Sequence, residues 1–191
     1  MKRITFIIFT LFLLNTPLVF AQQAEITDRP TSYPAEQTAS QAGSLDYQLP
    51  YPGLLPDNPL YSLKTFRDKI ISFLISDPAK KAEFNLLQAD KRLNAGFYLF
   101  NKQQGKEQLV VSTISKGVNY LEQAIKDEKE ASKKGIDLGD LPRRIELSVM
   151  KHQQIVKSLR EKSSPGIKSQ FIQIEKKLTT LAQQVKPQDK K

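Results

Sequence analysis

The sequence of 191 residues contains no cysteine and no tryptophan, and its single histidine is His152. Without cysteine the chain can form neither a disulfide framework nor a thiolate metal site. A structural zinc site takes about four ligands from Cys, His and carboxylate groups, so one histidine effectively excludes zinc. Stability must therefore come from a packed core, and we expect no bound metal and no cofactor.

Catalytic signatures are also lacking, since no Gly-x-Ser-x-Gly elbow and no phosphate-cradling glycine loop occurs. His152 lies between Val149 and Val156 on an apolar stripe, which is typical of a half-buried core histidine. Asp137 and Asp140 lie close in sequence without the alternating acidic positions of a calcium loop, so we interpret them as turn and cap residues. We therefore predict no catalytic residues and a protein that is not an enzyme.

The N-terminus has the pattern of a signal peptide. Lys2 and Arg3 precede an apolar run over residues 4–14, and the small residue Ala21 stands where a signal peptidase cleaves. The run is shorter than the roughly 20 residues that span a bilayer core. We predict cleavage between Ala21 and Gln22 and an extracytoplasmic protein, secreted or periplasmic. An uncleaved N-terminal membrane anchor remains the alternative.

Composition divides the rest of the chain into two parts. Residues 22–50 are rich in Gln, Ala, Thr, Ser and Pro, lack a hydrophobic period and carry a net charge of −3, which predicts a disordered acidic linker. Residues 51–191 carry 26 basic and 16 acidic side chains, a net charge of +10. They are long enough to form one basic domain with a sizeable core.

Helix start signals and hydrophobic periodicity predict an all-α fold. Asn58-Pro59, Asp77-Pro78 and Ser164-Pro165 each pair a capping side chain with a proline at the first helical position. Apolar residues then recur at three-and-four spacing, and strand patterns are nearly absent. Short connections favour an up-and-down bundle of about five helices. The predicted helices cover residues 59–76, 78–103, 106–134, 141–161 and 165–185.

Three of these helices carry more detailed expectations. The first should bury one apolar stripe in the core, formed by Leu60, Leu63, Phe66, Ile70 and Leu74. The third has almost wholly charged last turns over residues 126–134, so we expect them to project or fray, with Gly135 in the left-handed position beyond. The fifth repeats apolar residues at heptad spacing from Ile167 to Val185.

The segment from Leu55 to Leu93 reads LPDNPLYSLKTFRDKI and then SDPAKKAEFNLLQADKRL. It resembles an uncharacterised bacterial family, a domain of unknown function found in exported or membrane-attached proteins. Members carry a Leu-Pro-Asp-Ser-Pro-Leu-Tyr-x-Leu-Lys segment followed by Asp-Pro-x-Lys-Lys-Ala-Glu, and Asn58 here replaces the usual Ser. The resemblance implies a helical, extracytoplasmic bacterial protein and no particular activity.

The basic charge suggests a partner. Nucleic acid is the usual partner of a domain this basic, but export argues against it, so we expect lipid headgroups, acidic wall polymers or an envelope protein. The densest basic group, which we take as a possible contact with such an anionic surface, comprises Arg143, Arg144, Lys151, Lys157, Arg160 and Lys162.

Three function classes follow from these features. The first is a non-enzymatic binding or scaffold module of the cell envelope. The second is helix-mediated self-assembly into a homo-oligomer, through the heptad of residues 167–185. The third is a small periplasmic chaperone or stress adaptor, which would need an exposed apolar surface.

The position of the cleavage site can be tested directly. Mass spectrometry of the protein purified after export should find Gln22 as the first residue, because Ala21 completes the small-residue site that the peptidase reads. An intact N-terminus at Met1 in membrane fractions would instead support the uncleaved anchor.

Overall fold

The computed structural model describes residues 46–102 and 106–186, so the predicted signal peptide and residues 22–45 of the predicted linker lie outside the described residues. The described residues form five helices and no strand, which confirms the all-α class. The helices are α1 (Tyr61–Leu74), α2 (Pro78–Asn101), α3 (Glu107–Lys133), α4 (Leu141–Lys162) and α5 (Pro165–Val185).

The three proline start signals give three different results. Asp77 caps α2 as predicted, because its Oδ1 accepts a hydrogen bond of 2.8 Å from the Lys80 backbone N–H. α5 begins at Pro165, but the Ser164 hydroxyl donates to Glu107 Oε2 at 2.7 Å rather than capping the helix. Asn58 accepts from the Leu60 N–H in a turn, so α1 begins later than predicted, at Tyr61.

Helices α2 to α5 form an up-and-down four-helix bundle. Asn85 near the start of α2 contacts Asp127 near the end of α3, so these two helices are antiparallel. α2 and α4 run parallel, since Glu83 contacts Arg144 and Asp90 contacts His152 further along both helices. α3 and α5 are parallel in the same way.

Two sequence predictions about the bundle have opposite outcomes. The heptad of α5 is buried inside this chain's own bundle at Ile167, Phe171, Ile174, Leu178 and Leu181. The expectation that the charged end of α3 projects or frays is wrong. Asp127 and Ala131 are buried, because Asp127 Oδ2 accepts a 2.7 Å hydrogen bond from Asn85 and α3 continues to Lys133. Gly135 has φ 70°, as predicted.

The prediction that α1 buries its apolar stripe is wrong. All five stripe residues (Leu60, Leu63, Phe66, Ile70 and Leu74) are exposed. The side of α1 that faces the bundle instead carries Tyr61, Lys64, Thr65, Asp68 and Ser72, at three-and-four spacing. The physical reason is that α2 to α5 already fill a common core with their own apolar residues, so the stripe of α1 has no core to enter.

Residues 46–50 pack on the bundle, although the sequence assigned them to the disordered linker. The Tyr47 hydroxyl donates to Asp90 Oδ2 at 2.6 Å, and Leu49 is buried in the core. Asn94 donates to the Pro50 carbonyl at 2.9 Å. The packed part of the chain therefore includes these five residues, and the predicted boundary after Pro50 is too late.

Two helical glycines let α2 and α3 approach closely. A Cβ added to Gly96 would lie 2.4 Å from Ile114 Cγ1, and one added to Gly117 would lie 3.1 Å from the Ala89 carbonyl oxygen. The first distance leaves no room for a methyl group, and the second would require the neighbouring backbone to shift by a few tenths of an ångström. Both helices therefore depend on glycine at these positions for their spacing.

We predict that Gly96→Ala lowers the free energy of unfolding by about 1–3 kcal/mol, because the new methyl overpacks the contact with Ile114. Gly166→Ala is the matched control, since its Cβ would meet nothing nearer than Ser164 Oγ at 3.9 Å. Urea unfolding of both variants measures the difference. Equal stability of the two variants would show that α2 and α3 are not in close contact here.

Candidate functional site

The six basic residues predicted as a contact surface do not form one patch. They extend from Arg143 to Lys162 along α4, which at 1.5 Å per residue is roughly 28 Å. Arg144 pairs with Glu83 at 2.9 Å and with Asp140 at 3.1 Å, and Arg160 pairs with Glu175 at 3.1 Å. Arg143, Lys157 and Lys162 are exposed.

Lys151, the central member of that group, is only 1% exposed. Its Nζ has no hydrogen-bond partner in the described part of the chain, and burial lowers the pKa of the ammonium group from its ordinary value. A side chain enclosed in this way cannot touch an external anionic surface. Lys151 is therefore removed from the predicted contact surface.

The buried carboxylate of Asp90 is the centre of a polar cluster that the sequence did not reveal. It accepts hydrogen bonds from Tyr47 and Ser148, each at 2.6 Å, and His152 Nε2 lies 3.3 Å away. The Ser148 hydroxyl donates to Asp90 and not to the histidine, and Ser148 and His152 are fully buried. This geometry does not activate a nucleophile. It fastens residues 46–50 to α2 and α4.

The other polar residues singled out from the sequence lie in the core or in turns. His152 is completely buried rather than half-buried, with its Nε2 on Asp90. Asp137 accepts from the Gly139 N–H in a turn at 3.0 Å, as interpreted from the sequence. The prediction that Asp140 is a cap residue is wrong for its side chain, because its Oδ1 pairs with Arg144 instead of accepting from a backbone N–H of α4. In the described ranges, no group of three or more His, Cys, Asp or Glu side chains could hold a metal ion.

The exposed side of α1 is the most unusual surface of the described chain. It presents an apolar ridge of five exposed residues, Leu63, Phe66, Ile70, Phe73 and Leu74. The most exposed of them is Phe73, at 87%. The 14 residues of α1 extend over roughly 21 Å. Among residues 46–102 and 106–186, no helix is long and apolar enough to cross a bilayer.

Polar contacts fix the opposite side of α1 to the rest of the chain. Lys64 Nζ donates to the Pro52 carbonyl at 2.6 Å, and the Tyr61 ring lies 4.9 Å from the Arg92 guanidinium. Asp68 is 2% exposed and pairs with Arg67 at 2.8 Å. The Arg67–Asp68 pair lies within α1, so the contacts of Lys64 and Tyr61 are the ones that hold the helix with its apolar ridge facing away from the bundle.

The first of two clefts beside α1, called here the Arg92 cleft, lies between α1, α2 and α3 and has a volume of about 430 Å³. Lys69, Arg92 and Lys116 contribute its charges, and its other lining residues are Thr65, Asn119, Tyr120 and Gln123. Arg92 is 5% exposed, and burial lowers the pKa of its guanidinium. The lining contains no carboxylate.

The second cleft, called here the Lys64 cleft, lies on the other side of α1 and measures about 460 Å³. Lys64, Arg67 and Lys91 contribute its charges, and Leu54, Leu60 and Leu63 its apolar surface. It too has no carboxylate in its lining. The apolar ridge is thus bordered by cations on both sides.

Sequence reasoning missed this site because it placed the stripe of α1 in the core. One signal was available in the sequence. Besides its apolar stripe, α1 contains a second set of residues at helical spacing, all with polar groups: Tyr61, Lys64, Asp68 and Ser72. The helix also has three cationic side chains and one carboxylate. A helix that is basic and amphipathic in this way is typical of membrane surfaces as well as of bundles.

Comparison with protein families finds a match to a domain of unknown function (DUF5667) over residues 53–166. The match covers more than half of the chain and includes α1 to α4 together with the first two residues of α5. Comparison with curated proteins and with solved structures finds no significant match.

We predict a specific alkaline sensitivity from the Asp90 cluster. Burial, and then the neighbouring Asp90 carboxylate, raise the pKa of Tyr47 well above its ordinary value. The unfolded chain therefore loses this proton near pH 10 while the folded chain keeps it, so stability falls as pH rises above about 10. In urea unfolding at pH 9–11, Tyr47→Phe should lose stability less steeply than wild type. Above pH 10, the slopes of the free energy of unfolding against pH should differ between the two proteins by up to about 1.4 kcal/mol per pH unit. Parallel pH profiles would contradict the buried Tyr47–Asp90 bond.

Proposed function

The chain belongs to the DUF5667 family, and we propose that it is a non-enzymatic binding module of the bacterial cell envelope that docks on an anionic membrane surface through α1. The apolar ridge enters the headgroup–acyl boundary and the bordering cations meet the lipid phosphates. Export followed by removal of residues 1–21 would deliver the domain to such a surface. In this proposal the five helices position a membrane-binding surface and not an active site.

The observation that carries the proposal is the orientation of α1. Burying a large apolar side chain contributes about 1.5–3 kcal/mol, so a soluble protein normally turns such a stripe inward. Here polar contacts of Tyr61 and Lys64 with residues outside α1 hold the stripe outward. An exposed ridge of five large apolar residues in one helix is the kind of surface that marks an interaction site.

Charge favours a lipid surface over a second copy of the chain. Interfacial helices combine an apolar face with flanking Lys and Arg, and each cation near an anionic bilayer contributes about 1 kcal/mol. Arg67 and Lys91 lie on one side of the ridge, and Lys69 and Lys116 on the other. Two copies joined through α1 would bring these like charges together.

The other function classes have weaker support. The heptad of α5 packs within the bundle, so it no longer motivates self-assembly. A small periplasmic chaperone is the second candidate, because it too needs an exposed apolar surface such as α1. The cations along both sides of the ridge favour the membrane, since unfolded chains in general are not anionic.

Cosedimentation with vesicles tests the proposal. The protein purified after export should bind vesicles containing phosphatidylglycerol at low salt and bind pure phosphatidylcholine much more weakly. A Phe66→Ser/Phe73→Ser variant should lose about tenfold or more in affinity, because two phenyl rings no longer leave water.

Met150→Ser/Ile172→Ser is the matched control, since it removes two exposed apolar side chains from α4 and α5. It should bind like wild type. An equal loss of vesicle affinity in both double variants would refute docking through α1. Failure of the wild-type protein to bind anionic vesicles at low salt would refute it as well. Suppression of a client protein's aggregation that depends on Phe66 and Phe73, without vesicle binding, would favour the chaperone.

A further inference from the structure

We propose that the Arg92 cleft binds the phosphate of an anionic lipid headgroup, an inference that rests on the proposed docking of α1. The cleft combines three cations from three different helices: Lys69 from α1, Arg92 from α2 and Lys116 from α3. With no carboxylate in its lining and a volume of about 430 Å³, it is large enough for a glycerophosphate headgroup.

Arg92 is the fixed element of this site. Its guanidinium lies 4.9 Å from the centre of the Tyr61 ring and 6.0 Å from that of the Tyr120 ring. The two aromatic rings hold it by cation–π attraction, and Tyr120 is also a side-chain hydrogen-bond partner, which leaves the other N–H groups of the guanidinium as donors. A planar guanidinium held in place in this way suits a phosphate, which it can bind through two parallel hydrogen bonds.

Arg92 also lacks the carboxylate partner that a buried cation normally has. It is 5% exposed, yet no carboxylate of the described chain forms an ion pair with it, and burial lowers the pKa of its guanidinium. Burying a charge is costly unless it is paired with an opposite charge. A bound phosphate would supply that charge.

The remaining two cations are flexible and solvent-exposed. Lys69 and Lys116 lie at the lining of the cleft with no ion pair in the described residues, so each can turn toward a ligand without breaking an existing contact. Lys69 belongs to α1, one residue before Ile70 of the apolar ridge. A phosphate in the cleft would therefore lie beside acyl chains that contact the ridge.

The test uses a soluble headgroup, glycerophosphoglycerol, together with inorganic phosphate and phosphatidylglycerol vesicles. Titrations are followed by NMR of the protein purified after export. Glycerophosphoglycerol should shift the NMR signals of Arg92 and Lys116. The Lys69→Gln/Lys116→Gln variant should bind glycerophosphoglycerol roughly tenfold or more weakly than wild type, since two charge-assisted hydrogen bonds are lost. Lys168→Gln/Lys176→Gln removes the same net charge from exposed positions of α5 and should bind like wild type.

Each result separates this inference from the docking of α1. The Phe66→Ser/Phe73→Ser variant should lose vesicle binding but keep its affinity for glycerophosphoglycerol. If inorganic phosphate binds in the cleft and neither glycerophosphoglycerol nor vesicles bind, the site belongs to free phosphate and both lipid assignments fail. If the two double lysine variants bind vesicles equally and no soluble ligand shifts the NMR signals of Arg92, the cleft is not a phosphate site. Docking through α1 would then be retained without it.

Discussion

The close approach of α2 and α3 is the constraint on which the rest of the structure depends. Gly96 and Gly117 bring these helices together without intervening side chains, and Ile114 fills the space at Gly96. α4 and α5 then complete a core that the residues of four helices fill. Because that core is closed, α1 can attach only from outside, and it attaches through polar groups. The exposed ridge is thus a consequence of how the other four helices pack.

Polar side chains on α2 connect the core to the N-terminal part of the packed chain. Asp90 receives Tyr47, and Arg92, two residues later, lies against Tyr61 of α1. Asn94 holds the backbone at Pro50. Asp90 and Asn94, on one face of α2, therefore position residues 46–50, and Arg92, on another face, positions the start of α1. Asp90 and Asn94 make hydrogen bonds where they are buried, and Arg92 lies against an aromatic ring.

The helices were predictable from sequence because their signals are local. Asp77-Pro78 and Gly135 mark chain conformations that a few neighbouring residues decide, and the structure confirms both. The environment of each face was not predictable, because hydrophobic spacing shows which residues share a face and not what that face contacts. The same rule that placed Phe171 correctly in the core placed Phe66 there wrongly. The Asp90 cluster was hidden for a similar reason, since its members lie far apart in sequence and meet only through packing.

The central claim is that the apolar ridge of α1 faces solvent in the free protein and the acyl region when the protein is bound to a membrane. Because the chain has no cysteine, one spin label can be placed uniquely at Phe73→Cys on the ridge or at Met150→Cys on α4. On phosphatidylglycerol vesicles, the label at position 73 should become accessible to oxygen and protected from a water-soluble nickel complex, while the label at position 150 stays exposed to nickel. A label at position 73 that is already enclosed in the free protein, or that stays open to nickel on vesicles with bound protein, would contradict the account.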